Sequence, residues 1–277
     1  MMAYGAQAQN LFVSYLSNGS INQFTPSGVQ SPFASGLGAW GLAFNSSGDL
    51  FEAANSSGSI YKFQNNNGTL SPSPTLFASG LNGPEELTID SVGNLFVSNS
   101  RLGDIYKITS DGVVSTFASG LNWPEGLAFN SAGDLFEADW NSGHIYEFTP
   151  DGVQSTFASG VFGAIALAFN GAGDLFAADQ THNNIIEFAS GGGQSIFASG
   201  LNVPEHLAFN SAGDLFVSET DYGEIIKITP DGTQSTFASG LNEPLGLAFQ
   251  PVPEPSSLWL LAVGASASLV CRYRRTS

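Results

Sequence analysis

Residues 121–160 read LNWPEGLAFNSAGDLFEADWNSGHIYEFTPDGVQSTFASG. Four strand-length runs stand out within them: GLAFN, DLFEA, HIYEF and VQSTFAS. Turn-forming clusters separate the runs, namely Ser131-Ala132-Gly133-Asp134, Asn141-Ser142-Gly143 and Pro150-Asp151-Gly152. Alternating Phe, Leu, Ile and Tyr give each run two apolar-rich faces, which suits a sheet packed on both sides. Such a unit cannot bury both faces alone, so neighbours must stack on it.

Neighbours are present. The phrase FASG recurs at Phe33, Phe77, Phe117, Phe157, Phe197 and Phe237, at intervals of 44, 40, 40, 40 and 40 residues. A period near 40 built only of strand-sized pieces is the signature of propeller blades. The Leu-Phe strand occurs six times, from Leu11, Leu50, Leu95, Leu135, Leu175 and Leu215. The GLAF strand also occurs six times, near Gly41, Glu86, Gly126, Ala166, His206 and Gly246. The N-terminus enters at a second strand and the repeats end after a first strand, so the two partial blades add to one. Pairing of Gly246–Gln250 with Leu11–Ser14 would seal the ring and remove its exposed edges. The sequence therefore predicts an all-β, six-bladed β-propeller with four-stranded blades over residues 10–250.

Composition agrees. Charged residues are only 11% of 277, while the chain holds 33 Gly and 22 Phe. There are 24 acidic against 7 basic residues, a net charge of -17. Arg272, Arg274 and Arg275 end the chain, leaving Lys62, Arg101, Lys107 and Lys227 as the only basic residues of the body. So acidic a body repels phosphate backbones, which argues against nucleic acid and for cations or neutral and basic ligands. The single cysteine, Cys271, lies in an apolar tail, so no disulfide and no thiolate metal site forms in the repeats.

The ends read as addresses. Pro253-Glu254-Pro255 precedes a 14-residue apolar run, Leu258 to Cys271, and an arginine cluster. The run is expected to be a short helix, and it falls below the roughly 20 residues of a comfortable membrane span. This order resembles the PEP-CTERM sorting signal over residues 251–277. The resemblance implies Sec export, transient membrane anchoring through the tail, processing by an exosortase, and delivery to the cell surface or extracellular matrix. Ala6-Gln7-Ala8 fits a small-x-small cleavage site, so residues 1–9 are expected to be the remnant of a signal peptide that starts upstream.

The repeats resemble NHL-repeat propellers and their relatives, the gluconolactonase/senescence-marker-protein family and virginiamycin B lyase. The motifs that carry the likeness, P-E-G-L-A-F-x-x-x-G-D-L-F and I-Y-x-F-x-P-D-G, specify a blade rather than an activity. In such propellers the first strands line a central channel, and two columns are expected to meet at its mouth. The first, at the start of the first strand, is Trp40, Glu85, Glu125, Ile165, Glu205 and Leu245. The second, at the end of the second strand, is Ala54, Asn99, Asp139, Asp179, Glu219 and Tyr15. Together they predict a ligand face half acidic and half apolar, with Trp40 and Tyr15 stacking on a ring.

Crowded carboxylates recruit a cation or shift one another's pKa. Glu85, Glu125, Asp139, Asp179 and Glu205 are thus candidate ligands for Ca²⁺ or Mg²⁺. The gluconolactonase resemblance implies one divalent cation held by Glu, Asn and Asp, with Asn99 as a further ligand and Glu125 or Glu205 as candidate catalytic carboxylates. The blade-start segments distinctive of those enzymes are missing, since Asn82, Asn122 and Asn202 stand there instead. The lyase resemblance implies a His and a Glu fourteen residues apart, but here the pair is Glu205 and Glu219. His206 is one residue off, and strand alternation aims it away from the channel. The expected function is an exported binding module for an extracellular ligand or polymer; the alternative is a metal-dependent lactonase or esterase. Gly-Asp turns at Asp49, Asp134, Asp174 and Asp214 read as backbone devices, and Gly191-Gly192-Gly193 precedes a strand, not a phosphate-binding helix. His144 and His182 read as surface residues.

Overall fold

The computed structural model describes residues 9–252. The cleavage-site reading at Ala6–Ala8, the apolar helix and the sorting residues Pro253, Glu254, Pro255, Arg272, Arg274 and Arg275 fall outside that range. Six four-stranded antiparallel sheets account for the repeats. In blade 3 the strands are Pro124–Phe129, Leu135–Asp139, His144–Phe148 and Gln154–Ser159, from the axis outward. Blades 1, 2, 4 and 5 follow the same order, with first strands Ala39–Phe44, Leu87–Ile89, Ala164–Phe169 and Pro204–Phe209. Blade 6 is shared between the chain ends: Pro244–Phe249 pairs antiparallel with Leu11–Tyr15, with Leu11 opposite Phe249 and Val13 opposite Leu247. The ring is closed as the count of repeats requires. The one long interval is explained by an extra hairpin in blade 1, Asn65–Asn66 with Thr69–Leu70.

Phenylalanine is the mortar between blades. Phe136 meets Phe157 of its own blade edge-on at 5.0 Å and Phe169 of the next blade at 5.1 Å. Phe12, Phe96, Phe176 and Phe216 each repeat this pair of contacts. Edge-to-face packing of this kind adds about 0.5–1.5 kcal/mol per pair beyond buried area. The abundance of Phe is thus largely a consequence of five copies of one joint, the sixth using Phe51 and Phe77 with Ile89 in place of a third Phe.

At the axis the constraint is room. A Cβ on Gly126 would sit 2.7 Å from Ala166 Cα, and one on Gly246 would sit 2.3 Å from the Trp40 carbonyl. At these two positions the backbones of adjacent first strands approach so closely that a side chain larger than Gly would clash.

Candidate functional site

Each first strand begins at the same end of the channel, so its opening residues converge there. All six residues of the first column, Trp40, Glu85, Glu125, Ile165, Glu205 and Leu245, line one cavity of about 200 Å³. Glu85, Glu125 and Glu205 form one side; Trp40 and Leu245, joined by Leu16, form the other, with Ile165 between two of the acids.

The cavity has a floor. Glu86 and His206 come from blades 2 and 5, opposite each other in the ring, yet their Oε2 and Nε2 atoms lie 2.8 Å apart. The pair crosses the axis where the other blades carry Gly41, Gly126, Ala166 and Gly246, which leave the necessary space. His206 therefore lines the cavity, against the expectation that it turns away. The reason is a β-bulge between Pro204 and His206, which breaks strict alternation and lets Glu205 and His206 both face the channel. The imidazole is fully committed. Leu247 N–H donates to Nδ1 at 3.3 Å, so Nε2 carries the proton and donates to Glu86. No lone pair is left for a general base.

The second column lies elsewhere. Asn99, Asp139, Asp179 and Glu219 are buried and none of them lines the cavity. Asp139 accepts from the backbone N–H of Asn122 and Ser142, Asp179 from His182, and Glu219 from Asn202. Asn99 donates to the Asn82 carbonyl and accepts from Leu102 N–H. Tyr15 is buried too, its hydroxyl accepting from Gln30 Nε2. Asn99, Asp139, Asp179 and Glu219 thus cap the loops at the mouth rather than present oxygens to it, and Tyr15 reaches the outer strand instead. Sequence reasoning was one residue short. In blades 1, 4 and 5 the residue after the second strand reaches toward the next blade's first strand: Gln180 Nε2 donates to Glu205 at 2.6 Å, Asn55 to the Pro84 carbonyl, and Thr220 to the Pro244 carbonyl. Thr220, and Leu16 at the same position of blade 6, line the cavity. Period-2 alternation at the strand end was the available signal.

Burial dominates the mouth's electrostatics. It raises the Glu205 carboxyl to about 7, against the opposing hydrogen bond from Gln180. Burial likewise raises Glu85, and it raises Glu125 well above the usual range, helped by the neighbouring Glu85 and opposed by a hydrogen bond from the Trp123 side chain. Among the described residues no three His, Cys, Asp or Glu side chains are arranged to hold a metal ion. The expected ligand set does not assemble: Asp139 and Asp179 are consumed by turns, and Glu85, Glu125 and Glu205 form no group that could hold a metal ion. The residues present do not fit the cation that the lactonase resemblance implies.

Outlying candidates have structural partners. The Asp of three Gly-Asp turns, Asp134, Asp174 and Asp214, accepts from the side chain of Asn130, Asn170 or Asn210, and Asp49 does the same with Asn45. His182 Nδ1 lies 2.8 Å from Asp179, and His144 stacks on Tyr146. Gly192 and Gly193 adopt left-handed φ in the turn before the strand Gln194–Ser199.

Comparison with known proteins gives a motif and a fold. Residues 251–275 match the PEP-CTERM protein-sorting motif. No protein of curated function matches the chain. A chain of the nidogen/laminin complex superposes with a TM-score of 0.78 at 19% identity, over 88% of this chain and 99% of that one. Virginiamycin B lyase from Staphylococcus aureus gives 0.60 at 18% identity, over 76% and 73% of the two chains. A catalytically inactive variant of that lyase with quinupristin gives 0.65 at 14% identity, over 90% and 94%. Identities this low speak for the fold alone. The chain is a six-bladed β-propeller that carries a PEP-CTERM sorting motif, which implies export and processing by an exosortase.

Proposed function

We propose that this protein is a surface-sorted recognition module whose channel mouth binds an extracellular ligand. One observation carries the reading: six first strands bring carboxylates and apolar side chains to a single blind cavity on the axis. A concave site with an apolar wall and a few convergent polar groups is the usual form of a ligand pocket. Binding rather than turnover is supported by the same geometry, since His206 has both ring nitrogens engaged and the carboxylates of the mouth do not form a metal set.

The test is thermal melting of the full chain with extracellular polymers, peptides, a lactone, Ca²⁺ and Mg²⁺, with and without Trp40→Ala. A ligand that raises Tm in the native chain but not in Trp40→Ala supports the reading. Lactone opening by the native chain, lost in Glu125→Gln, would overturn it in favour of a hydrolase.

A further inference from the structure

We infer that the ligand of this mouth is a basic segment of a polypeptide, one lysine ammonium seated among Glu85, Glu125 and Glu205 and its apolar flanks resting on the surrounding rim. The inference rests on the reading of the mouth as a recognition site and names its occupant.

Three independent features converge on it. The first is the cavity. Its volume of about 200 Å³ suits one unbranched side chain, and its floor is shut by the Glu86–His206 pair, so an occupant enters from one side and ends inside. Its walls ask for two chemistries at once. Trp40, Leu245 and Leu16 flank an alkyl stem, while the three carboxylates offer acceptors to a compact charge with three donors. Among the described residues these carboxylates form no group that could hold a metal ion.

The second feature is the rim. Trp123, Phe162, Tyr222, Leu16 and Leu102 are exposed. All five lie on loops at the mouth end, just before a first strand or just after a second strand. Among the described residues, Phe157 on an outer strand is the only other exposed large aromatic side chain. Exposed aromatic groups gathered at one end of the ring mark a contact surface, whereas the exposed apolar residues elsewhere, such as Val29, Val92, Val113, Val153 and Ile196, are mostly aliphatic.

The third is charge. Lys62 and Lys227 are tied at 2.8 Å to Asp49 and Asp214 in turns at the far end, and Lys107 lies over the Phe96 ring. Arg101 is the one Lys or Arg at the mouth end among the described residues. Exposed Asp221 and Glu243 add negative charge beside the rim. A basic partner is steered to this face and an acidic one is repelled.

The experiment is calorimetric titration of the full chain with a blocked heptapeptide carrying a central lysine between two phenylalanines. A norleucine counterpart removes only the ammonium, a glutamate counterpart reverses the charge, and hexylamine supplies the ammonium and stem without the flanks. Binding of the lysine peptide, at least about tenfold weaker for norleucine and for the Glu125→Gln/Glu205→Gln chain and about tenfold weaker for Trp123→Ala, supports the inference. Circular dichroism and melting of each variant establish that it folds. Equal binding of the norleucine peptide, equal binding of hexylamine, or no peptide binding would overturn it. If a neutral polymer binds instead and Trp40→Ala abolishes that, the mouth stands as a recognition site and only the occupant is wrong; if nothing binds at the mouth, both readings fall.

Discussion

Two glutamates deep in the sheets show how single residues set the chemistry of this chain. Glu52 and Glu137 occupy the centre of the second strand, where other blades place Val13, Val97, Ala177 and Val217. Both are fully buried and neither carboxyl has a hydrogen-bond partner. Burial raises Glu52 to about 8, and burial with the nearby Asp139 raises Glu137 well above the usual carboxylate range. A carboxyl whose folded pKa exceeds the unfolded value leaves stability intact below the unfolded pKa and erodes it as pH climbs to the folded one. Melting temperature is therefore expected to fall between about pH 4.5 and about pH 8, and Glu52→Val is expected to flatten that decline and add about 1–3 kcal/mol at the upper end. A variant no more stable than the parent at that upper pH, measured by chemical denaturation, would contradict this. The same logic applies at the mouth. Glu205 titrates near 7, so affinity for a cationic ligand is expected to rise from about pH 5 to about pH 8 as the carboxyl ionises; calorimetry across that range checks it.

At the scale of the strand and its turn, the polar residue that ends the second strand holds the loops of the mouth in place. Asp139 is the clearest case, since its two oxygens accept from Asn122 and Ser142 in different loops. Asp139→Ala is expected to cost about 1–3 kcal/mol, because two backbone N–H groups lose their acceptor. The companion expectation concerns Gly126. Its Cβ would meet the Ala166 backbone rather than a movable side chain, so Gly126→Ala is expected to cost about 1–3 kcal/mol despite its small size. Urea denaturation of both variants decides, and values within about 0.5 kcal/mol of the parent would show that the axis relaxes freely. Strand existence and order were legible from the alternation of residues such as Leu135, Phe136 and Leu127. That His206 would face the channel beside Glu205 was not, because the first strand of blade 5 bulges between Pro204 and His206. A bulge shifts facing by one residue, and no local pattern announces it.

For the molecule as a whole, stability depends on a non-local seam. Leu11–Tyr15 and Pro244–Phe249 are separated by nearly the whole chain, yet they join as neighbours in one sheet, and Ser14 Oγ accepts from Gly246 N–H across the join. Truncation after Val252 is expected to leave melting of the propeller unchanged. Truncation before Pro244 removes the first strand of blade 6, exposes the inner edge of Leu11–Tyr15 and is expected to abolish cooperative unfolding. Differential scanning calorimetry of the two truncated chains tests the pair, and a cooperative transition in the shorter one would mean that the ring does not need its seam.

The number of blades, their strand order and the closure were written in the sequence, because periodic apolar residues and turn residues act within a few positions of themselves and the partial repeats sum to a whole. The first column of the mouth was readable for the same reason: it follows a fixed offset from each repeat. What the tertiary structure alone decided is which neighbouring side chains share that mouth. The bond from Glu86 to His206 joins residues far apart in the chain across the axis, and the diversion of Asp139, Asp179 and Glu219 into the loops depends on backbone N–H groups brought to them by folding. Contacts between opposite blades arise from ring geometry, which no single repeat encodes.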